Sequence, residues 1–289
     1  MLRSILVTGL VHSGIYALLA LGFSLVFGVA RIVNIAYAGF YMASAYAVYA
    51  LLHVAGLPAP AAVPLAVLAV VGLGVATYRL VVEPVREHES AVLISTIALT
   101  LIFQEVVLAA FGGHFLGNPV WVDGTWEVLG VVVTYQQVFT LGIVAAVLLG
   151  TWLLLTRTRL GLAIRATAND REVANLMGMN VRHVEMWTAA LSAALAGIAG
   201  AVVAPLVVID PLMWQAPLVS ILAIVVVGGL GSLKGSLAAA FILGYVETGT
   251  VFLLPSGSFL RGAVALTIMV MVLLVRPEGL FGVAFEEER

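Results

Sequence analysis

Apolar residues run through this chain in blocks about as long as a bilayer is thick, and polar residues collect at the joins. A membrane-crossing helix needs roughly 20 mostly apolar residues. Blocks of that kind cover residues 4–28, 35–54, 60–82, 91–111, 135–156, 184–208, 216–230, 235–253 and 260–275. The pattern predicts an all-α polytopic membrane protein with eight or nine transmembrane helices. The first block follows a single basic residue, Arg3, and stays apolar to about Val29, past any plausible cleavage point, which predicts a retained spanning helix in place of a cleaved leader. Pro205, Pro211 and Pro217 interrupt the later blocks, so some spans are expected to be discontinuous. Close packing through small residues accounts for most of the 29 glycines.

The joins differ in charge. Arg79 and Arg86 lie in 79–90, five arginines lie in 157–183, and Arg276 and Arg289 lie near the C-terminus, whereas 53–61 has no basic residue. Residues 111–137 also have none but hold Trp121, Trp126 and Tyr135. Basic residues stay on the cytoplasmic side and aromatics favour the interface, so the first three segments are expected inside and the other two outside. This puts the N-terminus outside, with Arg3 as the one dissenting charge.

Composition narrows the functional classes. At 63% hydrophobic and 10% charged residues, the chain is too apolar for a soluble globule. A net charge of −2 without any long basic block argues against nucleic acid as a partner. The absence of cysteine removes disulfide and thiolate chemistry. His12, His53, His88, His114 and His183 have no metal-ligand spacing. "GGLGSLKGS" is glycine-rich, but Leu233 precedes Lys234, Gly235 follows it, and no strand leads in, so it fails as a phosphate loop. No catalytic residue, metal or cofactor is expected in this chain.

Ionisable groups inside spans are expensive and face a cavity or a partner. Glu105, beside Gln104, and Glu247 are therefore candidates for a substrate pathway, with Asn34, Tyr37 and Tyr41 after the first polar break. Each glutamate could equally lie near a helix end or bond to a neighbouring helix, and the tyrosines could be interfacial. Asp210 is expected in an outer loop. "GVARIVNIAYAGFYMASAYA" (28–47) and "GGLGSLKGSLAAAFILGYVE" (228–247) share a polar break followed by a small-residue helix, a possible internal repeat.

The stretch 157–183 gathers a quarter of all charged residues in under a tenth of the length. Within it, Asn169 followed by Glu172 reads as a capped helix start. Val173, Leu176 and Met177 then form an apolar stripe, and Gly178 is a natural stop. So short a helix needs a surface to lie on. It could be an ordinary cytoplasmic loop touching lipid headgroups. Alternatively, it docks its stripe in a groove of a soluble partner, with Arg165, Asp170, Arg171 and Glu172 around the rim.

"RTRLGLAIRATANDREVANLMGMNVRHVEMWTAALSAALAGIAGAV", "VNIAYAGFYMASAYA", "VVVGGLGSLKGSLAAAFILGYVE" and "VRPEGLFG" (275–282) strongly resemble the integral membrane permeases of branched-chain amino acid ABC importers, most of all the smaller of the two permease subunits. Tyr37 and Ala38 stand where that family often has His or Gln before Gly39. The resemblance implies one permease domain over 1–289, in which 157–183 is the coupling loop that docks on an ATP-hydrolysing chain. It further implies a second homologous permease, two cytoplasmic ATPase subunits that hold ATP and magnesium, an external substrate-binding protein, and residence in the bacterial inner membrane. The expected solutes are branched-chain or other hydrophobic amino acids. A same-fold importer of urea, amides or another small solute is the alternative, as is an ion-coupled transporter working without an ATPase.

Overall fold

A computed structural model describes residues 2–128, 130–254 and 257–281; Gly282 and Arg289, named above, lie outside the described residues. The elements in chain order are α1 (Leu2–Ala30), α2 (Ala36–His53), α3 (Ala59–Thr77) with a π-helical continuation Tyr78–Val82 and a last turn α4 (Glu83–Val85), α5 (Glu89–Phe111), β1 (Thr125–Val128), β2 (Val131–Thr134), α6 (Tyr135–Arg157), α7 (Arg159–Asn169), α8 (Arg171–Leu176), α9 (Val181–Val203), α10 (Gln215–Gly228), α11 (Leu233–Leu253) and α12 (Gly257–Val275). Among the described residues, seven helices are long and apolar enough to cross a membrane. The two remaining predicted spans fall short: α10 has only 14 residues, and α2 is diluted by Tyr37, Tyr41, Tyr46 and Tyr49.

The layering is not visible in the hydropathy, because in lipid an outward-facing helix is as apolar as an inward-facing one. Helices α1 and α9 are mostly buried, while α3, α5, α6 and α12 face largely outward. Helix α1 packs between α9 and α11, and α9 packs also on α2 and α3. Small residues permit these approaches. At Gly200 of α9 a β-carbon would collide with the Tyr41 carbonyl oxygen of α2, and one turn away Ser44 donates to the Gly197 carbonyl at 2.5 Å.

The two polar breaks of the possible repeat lie against each other, since a β-carbon on Gly28 would sit 3.4 Å from the Gly231 carbonyl oxygen. Both helix-break-helix units therefore turn at the same end of the bundle. At the opposite end, 111–134 is not a plain loop: β1 and β2 form an antiparallel hairpin pairing Thr125 with Thr134 and Val128 with Val131. The short strands escaped an all-α reading because four residues are too few for a clear alternation. Leu116 and Ile209 exchange backbone hydrogen bonds of 3.0 and 2.8 Å, which puts the Asp210 turn at this end. Arg3 is here as well, 3.5 Å from where a β-carbon on Gly130 would stand. The N-terminus thus shares an end with the aromatic, arginine-free segment, as the charge pattern predicts.

Candidate functional site

The arginine-rich stretch is helical, not a loop. Thr158 breaks the chain after α6 and caps α7, accepting from the Gly161 amide at 3.0 Å. Gly161, Ile164 and Thr167 of α7 are buried at i, i+3 and i+6, while Arg165 points out. Asn169 is used up as the last residue of α7, so the cap of α8 falls one residue later than its sequence suggests. Asp170 is extended, at φ −150° and ψ 114°, and accepts from the Val173 amide at 2.9 Å. Glu172 consequently sits in the first turn of α8 near the positive end of the helix, where a carboxylate is favourable. Gly178 terminates the element at φ +82°, a left-handed conformation suited to glycine. The Met179 amide closes back on the Ala174 carbonyl at 3.1 Å.

The apolar stripe of α8 is uncovered. Val173, Leu176 and Met177 are 52%, 85% and 77% exposed, and of the apolar side chains of α8 only Ala174 turns inward. A short helix held by its caps therefore presents three adjacent apolar side chains to the outside.

Beneath α8 lies a cluster that the sequence did not flag. Glu185, on the first turns of α9, is 3% exposed. Its carboxylate accepts from the Tyr78 hydroxyl at 2.5 Å and from Arg86 at 3.2 Å, and pairs with Arg171 of α8. Arg182 and Glu83 approach to 3.9 Å alongside. A buried carboxylate needs compensation, and here Oε2 takes the hydrogen bonds of Tyr78 and Arg86, while Oε1, which accepts no hydrogen bond, is offset by the Arg171 charge alone. Arg171 therefore reaches inward instead of standing on the rim. The signal available in the sequence was Glu185 falling four residues from Val181 on the apolar face of α9, opposite two other arginine-bearing joins.

The pathway candidates are not gathered in one place. The Tyr37 ring is buried edge-to-face on Phe23, with centroids 5.9 Å apart, and its hydroxyl has no partner. Tyr41 is buried in the same core. Glu247 accepts from Tyr16 at 2.8 Å and from Ser220 at 2.7 Å. Gln104 accepts from the Trp214 indole at 2.9 Å, and Glu105 stands exposed on the outward face of α5. Asn34 is at the first break, its side-chain Oδ1 buried without a partner. Near that break, Arg31, Glu89, Asn169 and Ser232 line a cavity of about 1150 Å³. Among the described residues no group of His, Cys, Asp or Glu could hold a metal.

Residues 5–275 match the family described as branched-chain amino acid transport system / permease component. Relatives include the high-affinity branched-chain amino acid transport system permease protein BraD of Pseudomonas aeruginosa, 29% identical over 96% of this chain and 94% of that protein. The probable branched-chain amino acid transport permease protein LivH of Methanocaldococcus jannaschii is 30% identical over 99% and 94%. Among solved structures, a chain of PsaBC from Streptococcus pneumoniae in complex with Fab superposes with a TM-score of 0.51 at 18% identity, covering 96% of this chain and 94% of that one. That likeness supports the same fold. On the match across almost its whole length, this chain belongs to the permease-component family of branched-chain amino acid transport systems.

Proposed function

We propose that this chain is one permease subunit of an ATP-driven importer of branched-chain amino acids in the cytoplasmic membrane, and that α8 is where it meets the ATPase. The observation that carries the reading is the exposed stripe Val173, Leu176 and Met177 on a capped helix. Such a stripe has little reason to stand in water unless a partner covers it. ATP hydrolysis belongs to separate chains, which hold the nucleotide and magnesium. Closure of those chains around ATP would push on α8, and through it tilt the spans as a rigid body.

A second permease completes the assembly, and the outward face of α5, with Glu105 among apolar neighbours, borders the passage between the two. A charge on an outward helix face inside the membrane calls for protein or water opposite it. An external binding protein, met at the end holding the Asp210 turn, selects the solute. Reconstitution into vesicles tests the whole reading. Uptake of leucine, isoleucine or valine should require ATP inside, the ATPase chains and the binding protein. Uptake without any ATPase would replace the reading with an ion-coupled carrier, and a binding protein that holds only urea or an amide would change the solute.

A further inference from the structure

We infer that Glu185 is the positioning residue of the coupling element, fixing α8 to the spanning helices so that force applied to α8 reaches the bundle. The inference rests on the docking reading above. It deepens that reading by naming the joint behind the docking surface.

Helix α8 has little else to hold it. It has six residues, and Ala174 is its one buried side chain. It is bounded by an extended residue, Asp170, on one side and a left-handed glycine, Gly178, on the other. Helices this short are marginal alone, so its orientation must be set by attachment. Among the described residues, the Arg171–Glu185 pair is the one salt bridge from α8 to a spanning helix.

The other contacts of Glu185 lead to the far side of the joint. Tyr78 begins the π-helical segment that ends α3, and Arg86 lies in the turn between α3 and α5. Stretches of π geometry are rare and recur at functional positions. One carboxylate thus joins the docking helix, the first turns of α9 and the distorted end of α3. Oε2 is held by Tyr78 and Arg86 and Oε1 faces the Arg171 charge alone, so moving α8 away would leave a buried carboxylate oxygen with no compensating partner, which makes the junction stiff. Without it, α8 would hinge at Asp170 and Gly178, and a push would be absorbed there.

The test uses the complete complex, with the partner permease, the ATPase chains and the binding protein in vesicles supplied with leucine. Glu185→Gln keeps an acceptor for Tyr78 and removes the charge. Arg171→Ala leaves Glu185 with Tyr78 and Arg86, so the fold survives even if Glu185→Gln proves unstable. Both variants should still retain the ATPase chains on purification, yet ATP hydrolysed per leucine imported should rise roughly tenfold, within the usual span of coupling between sites. Arg171→Lys should bring the ratio back toward wild type. The chain has no cysteine, so spin labels on Cys introduced at Asn175 and Leu80 report the α8–α3 distance directly; it should be narrowly distributed in wild type and broad in Glu185→Gln. An unchanged ratio with an unchanged distance distribution overturns the inference and leaves docking intact. Failure of the wild-type chain to retain any ATPase overturns docking and the inference together.

Discussion

Tyr16 of α1 donates to Glu247 of α11 at 2.8 Å, across the contact between the two helices. Ser220 of α10 donates to the other carboxylate oxygen at 2.7 Å, so this carboxylate ties three helices together. Hydrogen bonds between membrane helices contribute modestly, and two orphaned hydroxyls add their own penalty. Glu247→Leu should therefore lower stability by about 1–3 kcal/mol. Glu247→Gln, which still accepts one bond, should lose about half of that. Thermal unfolding in detergent checks the order wild type, Gln, Leu.

The exposed stripe gives a sharper expectation. At 85% and 77% exposure, Leu176 and Met177 contribute almost nothing to the folded chain, so Leu176→Asp and Met177→Asp should leave stability within about 0.5 kcal/mol of wild type. Both should strip the ATPase chains from the permease during affinity purification. Retention of the complex by both variants would show that the stripe is not the contact.

Gly200 is expected to tolerate no side chain. With the Tyr41 backbone and Ser44 already against it, Gly200→Val must part α9 from α2 and break the Ser44 bond to Gly197. Overpacking of this kind costs about 1–3 kcal/mol or more. Size-exclusion profiles should show aggregated protein for Gly200→Val and a monodisperse peak for a substitution at Gly72, where nothing lies within 4 Å.

Tyr37 separates packing from transport. Its hydroxyl is buried beside Gly22 with no partner, so Tyr37→Phe removes an unsatisfied group and should be neutral or stabilising by up to about 1 kcal/mol. Uptake by this variant should match wild type. A large fall in uptake at unchanged stability would instead return Tyr37 to the solute pathway.

The sequence by itself determined the solvent, the helical class and the two faces. Runs of apolar residues fix helices in lipid because an unpaired backbone group there is too costly, and the arginine-bearing joins fixed which ends lie together. The stripe of Val173, Leu176 and Met177 was equally legible, since helical period and a capping residue are local properties, although the cap itself shifted from Asn169 to Asp170 once α7 extended further than its polar residues suggest. What the chain could not disclose was which helices are central. An inner and an outer helix are alike in hydropathy, so the burial of α1 and α9 and the outward face of α5 were decided by where small residues such as Gly200 meet. The Glu185 junction was hidden for the same reason. Its partners Tyr78, Arg86 and Arg171 are up to 107 residues distant in sequence, and only the packing of α9 against the ends of α3 and α8 brings a carboxylate, two guanidinium groups and a hydroxyl within bonding reach of each other.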